Sequence, residues 1–430
     1  MENISISIFK DVVFKDDPEM QRLFYYLEYD INSIYFYYGR HFKSPREKDN
    51  KTGRLKNWLQ QMAIDQFYKY QALKSKKSNK KIVLSSAYYG INQTLSDEQY
   101  HFMQCPWYVE RHPPFVDYPF YKKTMDIRKI LIKGSFKDLV NREFLQIVQD
   151  YKKDFIAYIQ KYGIVALIVA QETGFFEKLA IDIFEDLKLP TFNVIHGLPG
   201  YYNKHTYDKS DYLCVWGEKI KESFIKNGIK ESKILITGHP NYKVSKTQLK
   251  SGKQDILVLS KSMNGSQFDN DYHLQDRSRS IYFIEAIKLA LKQVGVNHAR
   301  LRLHPSENDN WYETFNYDGF YHLDKDDLSN SLAKSTLVIG PTSTVFVDAI
   351  SSGVNFICFE PTIGSGETLN GFPLVPPFDG TESGIPIAFN AAQLQNLLQE
   401  NTCVNDESIS KYLSSNSNFN IIKEKIRITV

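Results

Sequence analysis

What most constrains this chain is a rhythm in which short apolar runs alternate with stretches of helical spacing. Residues 164–174, "IVALIVAQETG", open with a near-continuous apolar run, as expected of a strand buried on both faces. The next residues, "FFEKLAIDIFEDLKLP", carry apolar side chains at helical spacing and end at a proline. "TFNVIHGLPG" reads as a second strand with a glycine-rich loop, and "DYLCVWG" as a third. "EKIKESFIKNG" is a helix closed by glycine, and "KILITGHP" returns to strand. An earlier run, "KIVLSSAYYG", starts the series at Lys81. Strands that alternate with helices specify a parallel, doubly wound sheet.

The rhythm then repeats. Residues 241–254, "NYKVSKTQLKSGKQ", have no apolar period and read as a linker. After it come "DILVLSKSMNGS" (strand and polar loop), "SIYFIEAIKLALKQVG" (amphipathic helix), "ARLRLHPSE" (strand and loop) and "LSNSLAKS" (short helix). "TLVIGPTSTVFVDAISSG" is strand, turn and helix, and "VNFICFEP" is a strand. Residues 362–386 form a Gly-, Pro- and Thr-rich loop, "NAAQLQNLLQEN" is helical, and so is the tail after Asp406. A chain of 430 residues has room for two such domains. The expected fold is α/β, with two Rossmann-like sheets facing a central cleft. Residues 1–245 would form one domain behind an aromatic-rich extension, and 246–400 the other. The tail, 401–430, would be helical and cross back to the first. Ligands of open parallel sheets sit at the carboxyl ends of the strands, so the chemistry is expected in those loops.

Composition excludes several classes. Formal net charge is only +3, which does not suggest a nucleic-acid partner. The cysteines, Cys105, Cys214, Cys358 and Cys403, are scattered without a C-x-x-C pair, so neither zinc nor a disulfide framework is implied. The start, "MENISISIFKDVVFKDD", lacks the pattern of a signal peptide. No apolar run reaches the roughly 20 residues of a membrane span. A cytoplasmic protein is expected, at most peripheral to the inner membrane. The aromatic stretch "RLFYYLEYDINSIYFYYGR" reads as half-buried core, and "KSKKSNKK" (74–81) as a solvated lead-in or a patch that meets anionic lipid.

Candidate chemistry lies at four strand ends. His304 follows a strand that carries Arg300 and Arg302 on one face, and histidine can donate a hydrogen bond or a proton to a phosphate oxygen. Thr342, Ser343 and Thr344 follow Gly340-Pro341 at a helix start. Free N–H groups there, with three hydroxyls, suit a phosphate; ordinary helix capping would use the same residues. Asp348, one turn on, is placed to accept from a ribose hydroxyl. The loop "SKSMNGS" offers Ser260, Ser262 and Gly265 to a phosphate, without the spacing of a dinucleotide or Walker motif. His196 and Gly197 end a strand of the first sheet, where they would touch acceptor or sugar or simply serve the fold. "DKDD" at 324–327 reads as a polar loop, so no metal is implied.

Together, "RLHPSE" followed by "GPTSTVFVDAISSG" resembles the HP and serine (SS/ST) motifs of bacterial GT-B glycosyltransferases of surface-polysaccharide synthesis. The likeness is to the sialyltransferase, polysialyltransferase and Kdo-transferase type, which use CMP-activated acidic sugars. CDP-glycerol glycerophosphotransferases look similar in the same places. The stretch from "HGLPGYYN" to "KILITGHPNY" is similar to those enzymes and to the middle of the non-hydrolysing UDP-sugar epimerases. The resemblance covers about residues 160–360. It implies that His304 contacts the donor phosphate and helps the nucleotide leave, with Ser343 and Thr344 on the same phosphate. It also implies an acidic base in the first domain, for which Glu172 of "QETG" is the candidate. Thr173 stands where those enzymes carry a second acid, Asn355 where related motifs carry proline, and Asp348 where many carry glutamate.

The activity so implied is inverting, metal-independent transfer of an acidic sugar from a CMP-linked donor to a glycan or glycolipid acceptor (capsule, lipopolysaccharide or O-antigen). No cofactor is implied beyond the nucleotide-sugar substrate. Arg300, Arg302 or Lys261 would face the sugar carboxylate. The alternatives are a CDP-glycerol-type glycerophosphotransferase, a UDP-sugar transferase or epimerase, and a non-catalytic GT-B scaffold.

Overall fold

The computed structural model describes residues 8–32, 59, 62–70, 79–108, 117–242, 249–261, 278–305, 307, 312, 313, 315–362, 368, 369 and 373–429. Two six-stranded sheets carry the fold. The first comprises β1 (Lys81–Ser85), β2 (Tyr100–Gln104), β3 (Ile164–Val169), β4 (Thr191–Val194), β5 (Tyr212–Val215) and β6 (Ile234–Ile236). Its order is β2-β1-β3-β4-β5-β6, every neighbour parallel. The second comprises β7 (Ile256–Leu259), β8 (Ala299–Arg302), β9 (Tyr321–Leu323), β10 (Leu337–Gly340), β11 (Asn355–Phe359) and β12 (Ile387–Ala388). Its order is β12-β11-β10-β7-β8-β9, again all parallel. This is the expected α/β architecture of two Rossmann-like, doubly wound sheets. The order in which successive strands are added reverses between β1 and β3 in one sheet and between β7 and β10 in the other. Crevices open at those switch points.

The central strands are buried along their whole length, as β3 and β11 show, which is why they read as unbroken apolar runs. Strand β2, "YHFMQ", mixes buried residues with the half-buried His101 and Gln104 at the sheet edge. That polar admixture hid it from the sequence reading, which also left residues 118–162 unassigned.

The helices include α1 (Pro18–Asn32), α2 (Tyr118–Lys133), α3 (Arg142–Tyr162), α4 (Phe175–Asp186), α5 (Glu218–Lys226), α6 (Ser278–Gln293), α7 (Leu328–Lys334), α8 (Val345–Ser351), α9 (Ala391–Gln399), α10 (Asp406–Tyr412) and α11 (Asn420–Thr429). Helix α3 buries Phe144, Leu145, Val148, Tyr151, Phe155, Tyr158 and Ile159, the i, i+3, i+4, i+7 stripe of a core-facing helix. It begins at an Asn141 cap and ends at Gly163 in the left-handed conformation. Helix α1 brings Met20, Leu23, Phe24, Leu27 and Ile31 into the same core, so this part of the aromatic extension completes the first domain.

A second apolar cluster joins the halves: Val215 and Trp216 from the first half pack with Val338, Phe346 and Phe356 from the second. The chain then returns. Helix α11 lays Ile422 and Ile426 on the first sheet, and Lys423 pairs with Asp97 at 2.7 Å. The return path passes Gly217, where any Cβ would overlap the Tyr412 carbonyl. Of the linker stretch, residues 243–248 lie outside the described residues; Tyr242 and Leu249 at its edges are buried. Most of the "KSKKSNKK" stretch lies outside them too. Among the described residues no helix is long and apolar enough to cross a membrane.

Candidate functional site

The second sheet's switch point gathers residues from three strand ends. Strand β7 runs out into Ser260 and Lys261, β10 into Pro341 and Thr342, and β11 into Glu360. Gly340 pairs with Cys358 in register, and two residues further Thr342 lies beside Glu360. One oxygen of Glu360, Oε1, accepts from the Thr342 N–H at 2.7 Å, the Thr342 hydroxyl at 2.7 Å and the Lys261 ammonium at 2.6 Å. The Glu360 side chain is 1% exposed and that of Lys261 21%. Lys261 also reaches Thr342 Oγ1 at 3.2 Å. The expectation for Thr342 is therefore corrected: its N–H and hydroxyl are already satisfied by a protein carboxylate.

Ser343 and Thr344 differ. Ser343 Oγ accepts from the Val345 N–H at 3.2 Å, and its own proton is free to donate. Thr344 is the residue before α8 and makes no side-chain cap. Across the cleft stands Gly197, where a Cβ would come within 2.7 Å of Thr344 Oγ1. A cavity of about 430 Å³ opens beside them, within the usual range for small-molecule sites. Leu198, Gly200 and Tyr201 line it from the first half; Lys261, Thr342, Ser343, Thr344 and Phe378 line it from the second. Asp348 is half-buried one turn into α8, and burial raises its carboxyl above the usual range. Burial, then the Asp348 charge, push the Tyr89 phenol up to about 12.

Arg302 is a correction. Its guanidinium donates to Asp324 at 3.3 Å, to the Asp326 carbonyl at 2.5 Å and to Ser331 Oγ at 3.2 Å. Arg300 pairs with the same Asp324 and donates to Ser335 Oγ at 2.8 Å. Both arginines thus tie β8 to the loop before α7 and are spent on a carboxylate that is 2% exposed. Ser260 is likewise engaged: its hydroxyl donates to Glu307 and accepts the His304 N–H at 2.9 Å. His304 itself is exposed just past β8, outside the described wall of the cavity. Ser262 and Gly265 lie outside the described residues.

On the first sheet, Glu172 follows β3 but is wholly buried. Its two oxygens accept the Lys209 N–H at 2.8 Å and the Ser210 N–H at 2.9 Å. A carboxylate sealed in this way has no face for an acceptor hydroxyl; it anchors the loop before β5. This corrects its placement as the base. His196 is the group that faces out. Its Nδ1 lies 2.8 Å from the Ala170 carbonyl, which assigns the proton to Nδ1 and leaves the Nε2 lone pair outward. Its ring packs beside Tyr88 at 5.3 Å, and the Tyr89 hydroxyl donates to its carbonyl at 2.6 Å.

The sequence reading gave no role to Glu360, Tyr88, Tyr89, Trp216 or the ring of His239. Glu360 had a signal, a lone charge ending an apolar strand in "NFICFEP". His239 is buried against Trp216 at 4.5 Å and Tyr89 at 4.9 Å. Burial holds its imidazole down at about 4. Among the described residues no three His, Cys, Asp or Glu side chains gather to hold a metal ion.

No family profile matches the chain, and no curated protein matches it. Solved structures do. The UDP-GlcNAc 2-epimerase of Methanocaldococcus jannaschii, in complex with UDP-GlcNAc and UDP, aligns over 81% of this chain and 99% of its own, at 13% identity and a TM-score of 0.49. The lipopolysaccharide outer core galactosyltransferase WaaB aligns over 80% and 99%, at 11% identity and a TM-score of 0.44. The wall teichoic acid polymerase TagF aligns over 89% and 97%, at 13% identity and a TM-score of 0.44.

Proposed function

We propose that the chain is a glycosyltransferase that uses a nucleotide-activated sugar and an acceptor glycan of the cell surface. The observation that carries this is the cavity between the halves, lined by two hydroxyls at the switch point of one sheet and by Leu198 of the other, two residues after an exposed histidine, His196, at a strand end. The nucleotide sugar occupies the second-sheet side. His196 Nε2 takes the proton of an acceptor hydroxyl. The freed oxygen bonds to the anomeric carbon as the bond from that carbon to the phosphate oxygen breaks, and the electron pair leaves with the phosphate. Ser343 Oγ, Thr344 Oγ1 and the N–H groups of that turn stabilise the charge that builds there. A well-placed donor of this kind lowers the barrier by ~3 kcal/mol. His304, exposed just past β8, would complete the phosphate contacts only once the halves close.

The acidic donor implied by the resemblance needs a free cation opposite its carboxylate. Arg300 and Arg302 are held by Asp324, and Lys261 by Glu360. The reading therefore rests on the nucleotide-sugar class, not on a CMP-linked acidic sugar. Burial of Glu172 favours one other reading, a binding protein that shares the cavity but lacks transfer chemistry.

The test is thermal stabilisation by CMP, CDP, UDP and GDP in parallel, then product formation with the matching donor. A nucleotide at ~100 times its Kd adds about 2.7 kcal/mol. Stabilisation that is lost in the Ser343→Ala, Thr344→Ala double variant, with turnover, supports the transferase. Stabilisation without turnover supports the binding protein, and no stabilisation by any nucleotide ends both.

A further inference from the structure

We propose that Glu360 sets the charge preference of the cavity, so that an uncharged, hydroxyl-bearing group of the donor sits against the Lys261 wall and a carboxylate is turned away. This deepens the nucleotide-sugar reading and rests on it. A lysine that lines a cavity ordinarily draws an anion. Here the ammonium stands 2.6 Å from a carboxylate that is 1% exposed. The same oxygen takes the Thr342 N–H and hydroxyl, two further donors that would otherwise hold an anionic oxygen.

The arrangement is built into the sheet. Gly340 and Cys358 are paired in register, so Thr342 and Glu360 leave adjacent strands side by side. Lys261 arrives from β7, the neighbour of β10 on its other side. Displacing Glu360 to admit a second carboxylate would strand a buried charge, which is strongly unfavourable. What the wall presents instead is neutral as a pair and flanked by the hydroxyls of Ser343 and Thr344. Hydroxyls both donate and accept, so they match sugar or ribose hydroxyls.

The test is calorimetric binding of UDP-glucose against UDP-glucuronate, which differ by a carboxylate on the sugar. If CMP is the stabilising nucleotide, CMP-N-acetylneuraminate is compared with the analogue whose sugar carboxylate is replaced by a carboxamide. UDP against 2′-deoxy-UDP reports whether the recognised hydroxyls are the ribose's. The wild-type chain should prefer the uncharged member by about ten-fold or more. Glu360→Gln keeps the shape and unmasks Lys261; the preference should fall to about one-fold or invert, through tighter binding of the carboxylate probe. Lys261→Met unmasks Glu360 and should widen the preference, so the test stands even if Glu360→Gln fails to fold. Equal preference in wild type and both variants overturns the inference alone. If no nucleotide binds at all, the nucleotide-sugar reading falls and takes the inference with it.

Discussion

Replacing Glu172 separates two roles that look alike in a sequence. As an anchor, its two oxygens satisfy the N–H groups of Lys209 and Ser210 from a wholly buried position. A hydrogen bond to a charged group contributes ~1.5–3 kcal/mol. Glu172→Ala deletes two and leaves both amides without acceptors. It also removes one of the carboxylate charges that support the Lys209 ammonium, which burial already pushes down. The expected loss is about 3–5 kcal/mol, a large part of the ~5–15 kcal/mol that holds a domain together. Glu172→Gln keeps one acceptor oxygen and turns an NH2 toward the other amide, so about half that loss is expected. Urea unfolding followed by circular dichroism reads both. Turnover per folded molecule should stay within about three-fold, because a sealed side chain touches no substrate. If Glu172→Gln matched wild-type stability to ~0.5 kcal/mol while turnover fell ~100-fold, the anchor argument would be wrong and Glu172 would be the base.

Three further outcomes are expected. His196→Ala should lower kcat by ~10²–10⁴ and shift the unfolding free energy by only about 1 kcal/mol, since the side chain is exposed and makes one hydrogen bond; unchanged kcat removes it from the mechanism. His239, held at about 4 against an ordinary 6.5, binds its proton more readily when unfolded. Its contribution is thus full above pH 6.5 and lost as pH falls toward 4, about 3 kcal/mol in all. Urea midpoints compared at pH 7.5 and pH 4.5 should show that loss in wild type and a flatter dependence in His239→Gln; an unaltered slope contradicts it. Gly217→Ala should force the Tyr412 backbone away, cost ~1–3 kcal/mol as overpacking does, and expose the tail to limited proteolysis near residue 412; a tail that stays protected refutes it.

The fold was legible where burial is symmetrical. Strands such as β3 and β11 are covered on both faces, so their whole length is apolar and the pattern is read from composition alone. It failed at β2, where the sheet edge admits His101 and Gln104. The site was legible only as far as local geometry goes. The turn at Thr342–Thr344 follows from a glycine, a proline and three hydroxyls in a row. Whether those donors remain open depends on Glu360, 18 residues further along but one strand away. Arg302 reads as a free cation until Asp324, 22 residues on, is found against it. Glu172 and His196 both end strands of one sheet, yet one turns inward to backbone amides and the other outward to solvent.

These four cases share one cause. A sequence shows which side chains carry charge and roughly where on an element they stand. It does not show which partner has already claimed that charge. Among the described residues, Lys261, Arg300 and Arg302 are each held by a carboxylate, so the proposed transfer relies chiefly on neutral groups: the hydroxyls of Ser343 and Thr344 as donors, and a histidine whose tautomer is set by the Ala170 carbonyl as acceptor. Neutral donors act over a short range and need exact distances, whereas charges act through several ångströms. A site of that kind should therefore bind weakly while the halves are apart and tighten only on closure. Ser343→Ala and Thr344→Ala, at the proposed phosphate site, should accordingly raise the Kd for nucleotide with little dependence on salt. A steep salt dependence would instead mean that an unpaired cation, not these hydroxyls, holds the phosphate.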